Sequence, residues 1–216
     1  MKKILILISI IISFASCNIK NNSTNSVSTV DSTLQIKVDS ILQNRLSELN
    51  ATAGQVIVME VQTGEIKASA GTEQKPQESG LIRTASLLAA LETKVVQLFD
   101  TIDVGNGILT IGKDTLLDHN WYKGGYGKIT IQQGFGVSSN IANYKTTQHT
   151  FKDAQTFSKV LARYGYQVKD TSLIYNPLGY GVFTTPLQNL TFYNAIAQGT
   201  IGDKAAVNNI KRSSIN

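Results

Sequence analysis

The chain has 216 residues, of which 42% are apolar and 16% carry a charge. This composition is sufficient for one domain with an ordinary hydrophobic core, and it excludes a chain that is disordered over most of its length. The formal net charge of +5 comes from lysines and arginines spread along the sequence rather than clustered. Because no helix-turn-helix or zinc-finger pattern accompanies them, we expect no nucleic-acid partner.

The first 17 residues have the features of a targeting segment. Lys2 and Lys3 form a short basic region, and an apolar run of residues 4–12 follows. This run is too short for a membrane-spanning helix, which needs about 20 residues. The single cysteine, Cys17, follows small residues as in the lipobox of bacterial lipoproteins, although Phe14 replaces the usual leucine. We predict cleavage and lipidation at Cys17, with an ordinary signal peptide as the alternative.

Residues 18–33 are rich in Asn, Ser and Thr, and we expect a flexible tether between the lipid and the domain at 34–216. Apolar residues recur at helical spacing from Leu34 to Leu49, which predicts an amphipathic helix of about four turns capped near Asp31 or Ser32.

The remaining chain alternates strand and helix patterns. Residues 55–61 and 66–70 are apolar runs around a Thr-Gly turn, and they predict a β-hairpin. Residues 71–80 are polar and loop-like, and 103–118 contain glycines between short apolar pieces, which indicates turns and small strands. Together with the helices, this order predicts an α+β domain with helices over an antiparallel sheet. The expected helices are 81–98, 129–135, 141–147, 151–164 and 186–197.

A Ser-x-Asn triplet, Ser138-Ser139-Asn140, stands at the head of one of these helices. It is preceded by YGKIT at residues 126–130, and a TGEI turn lies upstream at residues 63–66. With TTPLQNLTFYNAIA at residues 184–197, the chain resembles the transpeptidase domain of penicillin-binding proteins, whose fold is shared with β-lactamases. The resemblance implies a cell-envelope protein related to peptidoglycan synthesis, in a family whose serine attacks D-alanyl-D-alanine peptides and is acylated by β-lactams. It implies no cofactor.

The nucleophile and the base of that family, a Ser-x-x-Lys motif, have no counterpart in the chain. Counting back from the buried helix, the family's serine falls on Gly80 and its lysine falls on Arg83. Glycine has no nucleophile, and arginine stays protonated at neutral pH, so it does not act as a base. Ser79 is a possible displaced serine, but no titratable lysine follows it at the required spacing.

The resemblance gives the retained second motif two interpretations. Ser138 would relay protons and Asn140 would contact substrate, or both would survive only as a helix cap and a buried hydrogen-bonding pair. No Lys-Thr-Gly or Lys-Ser-Gly sequence is present. We also expect the family's C-terminal sheet strands to be missing after Gly199, which would leave an open sheet edge. His119 and His149 are too isolated in sequence to predict a metal site.

Three hypotheses about function follow from these motifs. The first is a lipid-anchored, catalytically inactive transpeptidase-like protein, with its domain in the extracytoplasmic space, that binds peptidoglycan stem peptides or cell-wall synthesis proteins. The second is an active serine D,D-transpeptidase or β-lactam-acylated protein that uses Ser79 or Ser138 and is completed by another chain. The third is a truncated remnant without function.

Overall fold

The computed structural model of the protein describes residues 29–201. Residues 1–28 lie outside the described residues, and with them the predicted signal segment, Cys17 and most of the predicted tether. Residues 202–216 also lie outside, so the expected absence of C-terminal sheet strands falls almost entirely on residues that are not described. The helices are α1 (Ser32–Glu48), α2 (Ile82–Glu92), α3 (Ile131–Gly136), α4 (Asn140–Thr150), α5 (Ala154–Arg163) and α6 (Pro186–Gln198). The strands are β1 (Gln55–Met59), β2 (Ile66–Gly71), β3 (Gln77–Glu78), β4 (Thr101–Asp103), β5 (Ile108–Ile111), β6 (Asp114–Leu117), β7 (Lys128–Thr130), β8 (Gln167–Val168) and β9 (Val182–Thr184).

The N-terminal part is a β-hairpin covered by one helix. Strands β1 and β2 pair antiparallel, and Val38 and Leu42 of α1 pack against Ala68 and Ala70 of β2. The Asp31 carboxylate caps α1 by accepting a hydrogen bond from the Leu34 N–H at 2.9 Å. The predicted hairpin, helix and cap are therefore confirmed.

The last residues of the predicted tether lie along strand β2. The Thr29 hydroxyl donates to the Ile66 carbonyl at 2.9 Å, and the Asp31 N–H donates to the Lys67 carbonyl at 2.9 Å. Since α1 already begins at Ser32, the described part of the domain starts a few residues before residue 34.

The main core surrounds α2, in which every residue except Arg83 and Glu92 is buried. Its apolar side chains pack against α5 and α6, whose largest core residues are Phe157, Leu161 and Phe192. Helix α6 begins as its sequence predicts, with a capping box between Thr185 and Gln188 and a proline in the first turn. The core thereby holds α2 firmly while Arg83 alone in its first turn remains partly exposed.

Helix α2 is shorter than predicted. It ends at Glu92 rather than at residue 98, because the Thr93 hydroxyl bonds the Ala90 carbonyl at 2.7 Å and Lys94 takes a left-handed backbone with φ 60°. The chain then continues without helix to β4. The apolar, helix-forming pattern of residues 81–98 therefore predicted a longer helix, because it does not reveal the turn at Thr93 and Lys94.

Three other boundaries also differ from the sequence prediction. Residues in the predicted loop 71–80 form β3, which joins β9 and β8 in a three-stranded antiparallel sheet. Helix α3 begins at Ile131, since the preceding three residues form β7, which pairs with β4. Helix α5 begins at Ala154, because Asp153 is its N-cap and Phe151 ends α4. Every described strand pair is antiparallel, and with the six helices the fold is α+β.

Candidate functional site

The Ser-x-Asn triplet forms the turn between α3 and α4. Ser138 takes a left-handed backbone with φ 54°, which redirects the chain between the two helices. The Ser139 hydroxyl accepts a hydrogen bond from the Ala142 N–H at 2.9 Å and is the N-cap of α4. The helix cap is therefore Ser139, whereas the hydroxyl of Ser138 is free of this structural task.

Asp118 is a buried residue that forms hydrogen bonds to this turn. Its side chain is fully buried, and its carboxylate accepts hydrogen bonds from the Ser139 hydroxyl at 2.8 Å and the Ile141 N–H at 3.1 Å. A buried carboxylate is stable only when it is hydrogen-bonded or paired, and both of its oxygens are used here. From the sequence, Asp118 is placed only at the end of a region of turns and small strands. Its burial depends on distant contacts that no local pattern reveals.

Arg83 joins the first-motif position to the second motif. Its guanidinium donates to the Asn140 side-chain oxygen at 2.6 Å and to the Ser138 carbonyl at 3.2 Å. The Asn140 amide nitrogen in turn donates to the Leu117 carbonyl at 2.7 Å. The structure thus brings together Arg83, Ser138 and Asn140, and both polar ends of the asparagine side chain are engaged.

The electrostatics of this site are those of a partly buried cation. Burial lowers the pKa of Arg83 below its usual value, while Tyr180 and Asp118 act in the opposite direction. Arginine nevertheless keeps its proton at neutral pH because its intrinsic pKa exceeds about 12. In the part of the chain that the structure describes, no carboxylate lies within salt-bridge distance of Arg83. The site therefore offers positive charge and hydrogen-bond donors, but no base.

The candidate nucleophile positions lie at the start of α2. Gly80 is exposed, and a Cβ placed there would meet nothing within 4 Å. The Ser79 hydroxyl accepts a hydrogen bond from the Leu81 N–H at 3.2 Å, so it is directed to its own turn rather than to Arg83. The Ser138 hydroxyl is exposed and has no hydrogen-bond partner among residues 29–201. No described base is thus hydrogen-bonded to either serine.

The space behind these residues is small. The pocket between α2 and the α3–α4 turn holds about 20 Å³, and Arg83, Leu87 and Asn143 are among its lining residues. That volume accommodates about one water molecule. The pocket is therefore too small to enclose a peptide.

The histidines take no part in this arrangement. His119 shares a hydrogen bond of 2.9 Å with the Tyr126 hydroxyl, and the two rings meet edge to face. Among the described residues, no group of three or more His, Cys, Asp or Glu side chains could hold a metal ion. Residues 29–201 also contain no helix with the length and hydropathy needed to cross a bilayer.

The model of the penicillin binding protein transpeptidase domain family matches residues 54–213. The chain belongs to this family. Its fold is that of solved relatives from two Burkholderia species. The crystal structure of a peptidoglycan glycosyltransferase from Burkholderia ambifaria has 18% sequence identity and a TM-score of 0.75, covering 86% of this chain and 72% of that one.

The apo structure of the TP domain from Burkholderia pseudomallei penicillin-binding protein 3 is similar to the same degree, with a TM-score of 0.75 and 18% identity. It covers 86% of this chain and 68% of that chain. No curated protein matches the sequence. The recognition of a transpeptidase-like α+β fold is confirmed, whereas the roles of the individual site residues stay predictions.

Proposed function

We propose that this transpeptidase-family domain is a non-catalytic binding protein of the cell envelope, related to peptidoglycan synthesis. It binds the D-alanyl-D-alanine end of a peptidoglycan stem peptide or a cell-wall synthesis protein at the surface around Arg83. The observation that carries the proposal is the contact between Arg83 and Asn140, at 2.6 Å. A permanent cation at the position of the family's lysine joins the second motif where a proton acceptor would be needed.

The lost nucleophile gives independent support. Acyl transfer through a serine requires a hydroxyl beside a base, and Gly80 offers neither a hydroxyl nor a titratable group. Ser79 and Ser138 have hydroxyls, but within the described residues neither hydroxyl is hydrogen-bonded to a base. The Ser79 hydroxyl accepts from the Leu81 N–H, and Ser138 is exposed. In a serine hydrolase, loss of the nucleophile alone lowers turnover by roughly 10⁶-fold.

Labelling with a fluorescent penicillin, followed by intact mass, tests the loss of catalysis. We expect no adduct on the folded wild-type domain. The matched variant is Gly80→Ser with Arg83→Lys, which rebuilds both first-motif side chains, and the added Cβ at Gly80 has free space. A stoichiometric adduct on the wild type would refute the proposal, whereas an adduct on the double variant alone would assign the loss to these two residues.

Binding is tested by calorimetry with a stem peptide that ends in D-alanyl-D-alanine. We expect Asn140→Ala to weaken binding, because Asn140 positions the Arg83 guanidinium. His149→Ala, at the far end of α4, is the matched control and should leave the affinity unchanged. If the wild type binds no peptide at millimolar concentration, the peptide-binding part of the proposal is wrong.

The proposed location rests on Cys17. We propose that a lipid on this cysteine anchors the domain to the membrane, with the domain in the extracytoplasmic space. Mass spectrometry of the mature protein from a bacterial host tests this part. A diacylated N-terminus that disappears in Cys17→Ser would support it, and an unmodified Cys17 would contradict it.

A further inference from the structure

Arg83 carries a charge that forms no ion pair among the described residues. The oxygens that accept its hydrogen bonds, the Ser138 carbonyl and the Asn140 side-chain oxygen, are both uncharged. Asp118 is near enough to influence Arg83, but its carboxylate oxygens accept from Ser139 and Ile141. A partly buried cation without an ion pair is unfavourable, and an anion bound there would relieve the imbalance.

The guanidinium also has unused hydrogen-bonding capacity. Arginine carries five N–H donors in a planar fork, and the two hydrogen bonds to Ser138 and Asn140 use only part of them. These same two bonds hold the fork in one orientation, which reduces the entropy lost when a ligand binds. The remaining donors suit a planar acceptor with two oxygens, as in a carboxylate.

The surface beside Arg83 is open and polar. The exposed Ser138 hydroxyl is a further donor without a partner in the described residues, and Gly80 leaves the space of a side chain empty. Tyr180 is 57% exposed and close enough to Arg83 to raise the pKa of the guanidinium. Arg83 and Ser138 line one pocket and both offer hydrogen-bond donors, while Asp118, the carboxylate that influences Arg83, is buried and accepts from Ser139 and Ile141.

We propose that Arg83 is a carboxylate receptor, which binds the C-terminal carboxylate of a peptide ligand through its guanidinium with Ser138 as an auxiliary donor. The inference rests on the proposed peptide-binding function and specifies its chemistry. The residue at the position of the family's base thus becomes the residue that selects a ligand by charge. No bond is formed or broken.

Calorimetry with N-acetyl-D-alanyl-D-alanine and its C-terminal amide tests this role. We expect the acid to bind the wild type about tenfold or more tightly than the amide, since hydrogen bonds between charged groups are the strong ones. Arg83→Gln should abolish this preference, and Arg83→Lys should retain only part of it because lysine lacks the fork. Lys37→Gln removes an exposed lysine on α1, the helix that packs on the β1–β2 hairpin, and should keep the full preference.

Equal affinities for acid and amide in the wild type, or an acid preference that survives in Arg83→Gln, would overturn the inference but leave peptide binding intact. If neither peptide binds, the proposed peptide function fails, and the receptor is tested by itself. The Arg83 Nε–H resonance would then be followed by NMR during titration with acetate. A saturable shift would support the carboxylate receptor, and an unchanged resonance would overturn it. Thermal melts of each variant verify folding.

Discussion

The two halves of the site differ in what holds them. The turn at the second motif is fixed from below by Asp118, which is fully buried and bonded to Ser139 and Ile141. The start of α2 is exposed at Gly80, where a Cβ would lie more than 4 Å from any atom of the described residues that it could meet. The turn of the second motif is therefore tied into the buried structure, whereas the position of Gly80 is not.

This difference implies that substitutions in the two motifs have unequal effects on folding stability. A change at Asp118 or Ser139 leaves a buried polar group without its partner, which destabilises the whole domain. A change of serine to glycine at an exposed position leaves no such group. We therefore expect substitutions at Asp118 or Ser139 to cost more folding stability than substitutions at Gly80.

The largest expected effect is that of Asp118→Ala. The substitution leaves the Ser139 hydroxyl and the Ile141 N–H buried without an acceptor, and it removes the support of the α3–α4 turn. We expect a loss of about 3 kcal/mol in the free energy of unfolding, measured by urea denaturation.

The control for this variant is Asp39→Ala. Asp39 is exposed on α1 and accepts only a hydrogen bond from Gln35, so its loss should change stability by less than about 0.5 kcal/mol. Similar losses of stability in the two variants would mean that the buried hydrogen bonds of Asp118 do not stabilise the α3–α4 turn.

The second prediction concerns the packing of α3 against α4. A Cβ at Gly134 would lie 2.5 Å from the Cβ of Ala142, whereas a Cβ at Gly136 in the same helix meets nothing within 4 Å. We expect Gly134→Ala to destabilise the domain by about 2 kcal/mol, because the helices must separate. Gly136→Ala should be neutral or slightly stabilising, by up to about 1 kcal/mol. A loss of stability in both variants would point to a backbone effect rather than to packing at the turn.

Local patterns predicted those elements that local physics determines. Helix α1 and the β1–β2 hairpin follow from apolar spacing and a Thr-Gly turn, and α6 follows from its cap and proline. The β3–β9–β8 sheet could not be found this way, because its strands have two or three residues and Gln77 pairs with the distant Thr184. Such pairing depends on tertiary contacts.

The candidate site was predictable only in part, and mainly through the family resemblance. It identified Gly80, Arg83, Ser138 and Asn140, but it could not show that Arg83 bonds to both members of the second motif. It also did not single out Ser139, which is the N-cap of α4. Two adjacent serines are identical in residue type, and only their three-dimensional positions show which hydroxyl caps the helix.

The third prediction tests whether the stability that Tyr164 contributes to the core near α2 depends on pH. Tyr164 donates a hydrogen bond to Glu92 at 2.6 Å, and burial with this bond raises the pKa of the tyrosine above its ordinary value. The neutral phenol is thus favoured in the folded state, so stability is retained below pH of about 10 and falls as the pH rises further. Tyr164→Phe should be less stable at neutral pH but show a smaller additional loss of Tm above pH of about 10. Parallel pH profiles for the two proteins would contradict the assignment.

The smallest expected effect is that of Gly80→Ser. It directly tests whether the start of α2 tolerates a side chain that the second-motif turn would not. The added Cβ meets no described atom within 4 Å, so the free energy of unfolding should change by less than about 0.5 kcal/mol. Its matched partner is Gly179→Ala, whose Cβ would lie 2.3 Å from the Ser79 carbonyl at a φ of 106°. That variant should be clearly destabilised, because it presses on the backbone of the same segment. If urea denaturation gives this pair of results, the path of the chain at the first motif is fixed by packing while its side chain is free, and a nucleophile can be lost there without loss of the fold.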